Sequence, residues 1–215
     1  MAERSRLSIT RRGLLRGASA APLLTSCVRA AKDGRTNPAN VTDPSAPAEI
    51  GPDPVGVEFT LDGKRTVVEV EPRVTLLDAL RIDAGVTGPK KVCGRGACGA
   101  CTVLVDGVPR NSCMMLAHDV AGAEVVTVAG LGEGKELSAL QQAFVRHDAL
   151  QCGFCTSGML VSCAGLLRRR KADAASLSAA DVNDAIAGNL CRCGTYPHIV
   201  AAVLEVAHGK TKEVG

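Results

Sequence analysis

Apolar and polar residues alternate twice just after residue 55. The stretches "VEFTL" and "TVVEV" place apolar side chains on alternate positions, and "DGKR" between them carries the residues of a hairpin turn. The period then lengthens. In "VTLLDALRIDAG", Leu76, Leu77 and Leu80 share one helical face, Thr75 stands at the N-cap position and Gly85 can end the helix. "CTVLV" is an unbroken apolar run, the mark of a buried strand turning at Asp106-Gly107, and "AEVVTV" supplies a further strand. From residue 134 the spacing is helical. "SALQQAFVRHDAL", "TSGMLVSCAGLLRRR", "SAADVNDAIAGN" and "YPHIVAAVLEVAHG" each carry helical spacing or helix-start signals. In the second, Met159, Ala164 and Leu167 lie among further apolar positions, so that helix is largely buried. Four helices of about ten to fifteen residues predict a small bundle. The fold class expected is α+β, with strands and one helix over 55–133 and helices over 134–212.

The upstream third has no such periodicity. Residues 1–30 contain six arginines and one glutamate, so they more than account for the net charge of +3 and leave the body slightly acidic. That excess is local to Thr10-Arg11-Arg12-Gly13-Leu14-Leu15-Arg16, which resembles a twin-arginine translocation signal. The following stretch, Gly17 to Val28, is too short to cross a bilayer of about 30 Å as a helix. Cleavage could follow Ala30. Leu24-Thr25-Ser26-Cys27 also resembles a lipoprotein box that would acylate Cys27; the alternative is a cysteine discarded with the leader. Residues 31–54 hold five prolines and read as a flexible linker. With no basic body, no tryptophan, one tyrosine and three phenylalanines, the chain lacks the means to bind nucleic acid.

Ten cysteines change the picture. Cys93, Cys98, Cys101 and Cys113 form C-x4-C-x2-C-x11-C, the ligand spacing of a plant-type [2Fe–2S] site. Gly94, Gly96 and Gly99 would let backbone N–H groups approach the anionic cluster. The same glycines match a dinucleotide fingerprint in form, but without the strand-to-helix setting that motif needs. A zinc knuckle disfavours the long first step, and cysteines three apart in a tight loop pair poorly as disulfides.

A second set is Cys152-Gly153-Phe154-Cys155 followed by Cys191-Arg192-Cys193, each pair at a predicted helix boundary. The distant C-x-C completes four thiols, and spacing alone leaves iron–sulfur and zinc both open. Cys163 sits within the apolar helix as an inert thiol, and the four histidines show no metal-ligand spacing. No nucleophile–base arrangement is recognisable.

Taken together, C-x4-C-G-x-C with a later cysteine, "QCGFCTSGM" and "GNLCRCGTY" resemble the small iron–sulfur subunit of the xanthine dehydrogenase/aldehyde oxidoreductase family, over about residues 55–210. The leader makes the exported, periplasmic aldehyde oxidoreductase branch the most similar. The resemblance implies a β-grasp ferredoxin domain at 55–133 and a four-helix-bundle domain at 134–212, with one [2Fe–2S] cluster in each. It implies a molybdopterin-binding large subunit and an FAD-binding subunit as partners in a heterotrimer. The cluster on Cys152, Cys155, Cys191 and Cys193 would lie nearer molybdenum, that on Cys93, Cys98, Cys101 and Cys113 nearer flavin, and Gln151 would contact the pterin. Val92 departs from the glycine usual before the first cysteine and is expected to crowd the loop. The function implied is electron relay in an aldehyde dehydrogenase; a free-standing two-cluster ferredoxin is the alternative. Export by the twin-arginine machinery, which carries folded proteins, would let oxidation-sensitive sites be assembled before the chain reaches the periplasm.

Overall fold

Two tight hairpins and one parallel pairing build a five-stranded sheet. The computed structural model describes residues 51–134 and 136–209. The expected signal at 1–30, including Arg11, Arg12 and Cys27, and most of the linker at 31–54 lie outside them. Strands β1 (Val55–Leu61) and β2 (Lys64–Val70) run antiparallel, with Val57 opposite Val68. Asp62 and Gly63 alone make the turn, at φ 48° and 76°, the doubly left-handed conformation of a two-residue hairpin. Lys64 and Arg65, expected in the turn, therefore open the strand. β3 (Thr102–Val105) and β4 (Val108–Asn111) form the second hairpin over Asp106-Gly107. β5 (Glu124–Val126) lies parallel to β1 and antiparallel to β3, giving the order β2-β1-β5-β3-β4. The hydrophobic pattern did not disclose β4. Its "VPRN" barely alternates, and Pro109 is tolerated because the strand lies at the sheet edge.

Val57, Phe59, Leu61, Val68, Val70 and Val125 turn to one face of this sheet and bury α1 (Leu76–Asp78) against it. Thr75 caps that helix as expected, its hydroxyl accepting from the Asp78 N–H at 3.2 Å. After Asp78 the helix widens into a π turn, Ala79–Asp83, closed by the Ala84 N–H on the Ala79 carbonyl at 2.9 Å. Leu76, Leu77 and Leu80 are all buried, and Gly85 leaves the helix at φ 68°.

Four longer helices follow: α2 (Ala139–Arg146), α3 (Thr156–Arg169), α4 (Ala179–Ile186) and α5 (Tyr196–Ala207). Capping boxes fix the starts of α2 and α4: Ser138 with Gln141, and Ser178 with Asp181. Both helices have eight residues, fewer than their apolar spacing suggested. Phe144, Met159, Cys163, Val182, Ile186, Ile199 and Val203 bury one another in a shared core. Helix α3 also leans on the opposite face of the sheet, where Val161 buries Leu104 and Val126. Gly165 permits that contact, since a Cβ there would meet Pro109 Cγ at 2.5 Å. Among the described residues no helix is long and apolar enough to cross a membrane.

Candidate metal centres

The first four cysteines meet around a loop that the sheet presents between α1 and β3. Gly94, Gly96 and Gly99 take φ of 63°, 74° and 66°, a conformation that costs a residue with a Cβ strain. The turns aim main-chain donors at sulfur. The Gly96 N–H donates to Cys113 Sγ at 3.2 Å. The Arg95 N–H, with the Cys98 thiol and the N–H groups of Ala97 and Cys98, draws the Cys93 thiol down to about 6. Cys101 and Cys113 are buried beside Leu77, and burial pushes Cys101 up to about 11. Ser112 Oγ donates to the Cys101 carbonyl at 2.7 Å and Asn111 Nδ2 to the Gly96 carbonyl at 3.1 Å, bracing the loop from β4. Val92 does not crowd it: the side chain is 51% exposed.

The second set gathers at helix ends, as its spacing suggested. Cys155 is the N-cap of α3, Cys152 precedes it, and Cys191 and Cys193 lie in the turn between α4 and α5. Cys193 Sγ stands 3.4 Å from Cys152 Sγ. Gly153 and Gly194 turn the chain at φ 82° and 78°. The Phe154 N–H lowers the Cys152 thiol, with Cys193 adding to it. Burial pushes Cys155 up to about 12. Burial also raises Cys191, but the Thr195 hydroxyl, 3.2 Å from its sulfur, and main-chain N–H groups outweigh that and bring it to about 7. The Tyr196 hydroxyl accepts from the Cys191 N–H at 2.8 Å and donates to the Asn189 carbonyl at 3.1 Å.

Sulfur contacts join Cys93 with Cys98, Cys101 with Cys113, Cys152 with Cys193, and Cys155 with Cys191, and Cys152 also lies near Cys155 and Cys191. Among the described residues no three His, Cys, Asp or Glu side chains converge on one ion-sized point. Four thiolates are the donor set that a [2Fe–2S] cluster takes, and one that zinc also accepts. N–H groups directed at sulfur would balance the negative charge of a bound cluster. All described cysteines are free thiols, and Cys163, pushed up to about 12 by burial in α3, is inert as expected. Gln151 is exposed beside Cys152. Three histidines are tied up structurally: His147 to Glu205, His198 to the His147 carbonyl, and His208 to the Leu177 carbonyl.

The two sites also touch, through residues the sequence did not single out. Three consecutive carbonyls of the first loop accept donors from the helical segment. Leu190 N–H reaches Cys98 O at 2.9 Å, Asn189 Nδ2 reaches Gly99 O at 3.0 Å, and Ser157 Oγ reaches Ala100 O at 3.2 Å. At Gly99 a Cβ would lie 2.5 Å from Asn189 Nδ2 and 2.6 Å from the Gly188 carbonyl, and Gly158 abuts the Gly99 carbonyl. Exposed apolar residues lie next to the thiols in the chain: Val92 and Met114 beside Cys93 and Cys113, and Phe154 and Leu190 beside Cys155 and Cys191.

Comparison with known proteins adds to this geometry. The profile of a 2Fe-2S iron-sulfur cluster binding domain matches residues 59–126, and that of a [2Fe-2S] binding domain matches residues 127–204. The aldehyde oxidoreductase iron-sulfur-binding subunit PaoA of Escherichia coli K12 is 38% identical over 213 residues, 94% of this chain and 89% of that one. The nicotine 6-hydroxylase small subunit of Paenarthrobacter nicotinovorans is 46% identical, over 71% of this chain and 90% of that one. In the crystal structure of quinoline 2-oxidoreductase from Pseudomonas putida 86, one chain superposes with a TM-score of 0.69 at 43% identity, covering 74% of this chain and 95% of that one.

Proposed function

The chain belongs to the small iron–sulfur subunits of the xanthine dehydrogenase/aldehyde oxidoreductase family, and on that premise we propose that it is the electron-relay subunit of an exported, molybdenum-dependent aldehyde oxidoreductase. One observation carries the relay: two all-thiol sets whose backbones are a single hydrogen bond apart, Leu190 N–H to Cys98 O at 2.9 Å, with the ligand Cys191 next in the chain. A [2Fe–2S] cluster, when bound, takes up and releases one electron at a time. Cys93, Cys98, Cys101 and Cys113 hold one and Cys152, Cys155, Cys191 and Cys193 the other, while the loop N–H groups oppose the charge that reduction adds. We read residues 55–133 as a β-grasp domain and 134–212 as a four-helix bundle.

Exposed apolar residues beside each thiol set support two different partners. The molybdopterin-binding subunit would cover Phe154 and Leu190, with Gln151 against the pterin, and the FAD-binding subunit would cover Val92 and Met114. The alignment with the aldehyde oxidoreductase subunit reaches 94% of the chain, against 71% for the nicotine hydroxylase subunit. That reach into the leader favours the aldehyde branch, twin-arginine export and a periplasmic location, with acylation at Cys27 as a lesser variant.

Native purification tests the reading. The assembly should carry molybdenum and flavin, the reduced protein should give two distinct [2Fe–2S] EPR signals, and fractionation should place it in the periplasm. A chain that elutes alone, that shows one signal, or that holds zinc overturns the relay.

A further inference from the structure

Asn189 belongs to neither set of thiols, yet it ties the two together. It lies two residues before Cys191 and is 4% exposed. Both ends of its side chain are engaged. Oδ1 accepts from Ser162 Oγ on α3 at 2.8 Å, and Nδ2 donates to the Gly99 carbonyl at 3.0 Å, between Cys98 and Cys101. A buried amide held at both ends keeps one orientation. The Gly99 oxygen has other donors, the Thr102 hydroxyl at 2.6 Å and its N–H at 3.1 Å. Asn189 is therefore not needed to satisfy that oxygen. What it supplies is a tether between the loop, 90 residues before it, and helix α3 at Ser162, 27 residues before it, and the backbone has been pared to Gly99 and Gly158 to admit it.

We propose that Asn189 is a positioning residue for the first centre: carried on the second site's loop, its amide fixes the 98–101 loop and with it the reduction potential of the cluster on Cys93, Cys98, Cys101 and Cys113. The inference rests on the two-cluster reading above. The mechanism runs through the loop. N–H groups directed at sulfur stabilise the charge added on reduction, and their aim depends on where Gly99 is held. Releasing that hold lets them relax away from sulfur, so the first cluster becomes harder to reduce while the second, whose N–H donors come from Phe154 and Thr195, changes little.

The test uses the double variant Ser162→Ala/Asn189→Leu in the full chain with its partners. Removing both hydrogen-bonding partners leaves no orphaned hydroxyl and keeps the volume filled, which favours retention of the fold. The readout is an EPR redox titration that follows each cluster separately. The variant should keep both signals, and the first cluster should become harder to reduce by about tenfold in its redox equilibrium, about 59 mV for one electron. An unchanged first cluster, or an equal shift in both, overturns the proposal. If the double variant does not accumulate, Ser162→Ala alone decides: it removes the brace but leaves the amide, so a smaller shift of the same sign supports the role and no shift overturns it. Failure of the underlying reading is distinguishable, because a single signal would already appear in the unmodified protein.

Discussion

The two thiol sets solve one chemical problem by different means. In the first, all four cysteines lie between residues 93 and 113, and a glycine-turned loop supplies the N–H groups. In the second, Cys155 and Cys191 come from separate inter-helical turns, and only the packing of α2 to α5 brings them together. Burial follows the same division. Cys101 and Cys113 are both buried, whereas Cys152 and Cys193 are both exposed and only Cys155 is fully covered. The first site is thus a property of a loop and the second a property of a core, so the two should fail under different insults.

Removal of a ligand should produce the largest effect and expose the wiring. Cys193→Ser takes away the partner of Cys152, 3.4 Å distant, and should abolish the second EPR signal while leaving the first. Lost activity alone would prove little, because losing a metal site can also cost stability. The sharper outcome is that substrate still reduces molybdenum in the variant while flavin stays oxidised; flavin reduction at the normal rate would contradict the relay. Iron analysis should show half the normal content.

The next pair of substitutions separates loop from core. Phe144→Ala empties a fully buried position in the helical core and should cost about 3–5 kcal/mol, read as a fall in thermal midpoint. Its loss should fall on the second cluster first. Gly99→Ala forces a Cβ onto Asn189 and the Gly188 carbonyl at φ 66°, and should cost about 2–3 kcal/mol. Its loss should fall on the first cluster first, then on the second through Asn189. If both variants lose both clusters together, the division between loop and core is wrong.

How legible these features were in the sequence follows the same line. The eight thiols, the glycines of the first loop, the first hairpin, the turn at Asp106-Gly107 and the cap of α1 were readable, because spacing, turn chemistry and capping act over a few residues. Val92 was misjudged for want of its exposure, since about half of it faces solvent. Strand β4 stayed hidden because edge strands need little alternation. Asn189, Ser157 and Leu190 were invisible for a deeper reason. Their partners at Gly99, Ala100 and Cys98 lie 90, 57 and some ninety residues away, and no local period records such a contact.

A smaller effect probes what holds the second site's approach segment. Arg146 and His147, at the end of α2, both engage Glu205 on α5, and His198 contacts the His147 carbonyl at 2.8 Å. Five residues on from His147 is Cys152, so this clasp anchors the chain that enters the second site. The Arg146 guanidinium foremost, with His147 adding to it, holds the Glu205 carboxyl below its ordinary value of 4.5. A carboxyl lowered on folding contributes stability that is present above its unfolded value and is lost as pH falls through its folded one. Glu205→Gln should therefore lower stability by roughly 1 kcal/mol near neutrality and by progressively less as pH drops below about 4.5. Thermal midpoints of the two proteins, measured from pH 7 down to pH 3, should converge. The second cluster should loosen before the first at neutral pH, because the substitution leaves intact the pair that anchors the chain entering the first site, Lys91 Nζ to Asp78 Oδ1 at 2.7 Å. A difference that persists undiminished at pH 3 would show that Glu205 acts by packing rather than by charge.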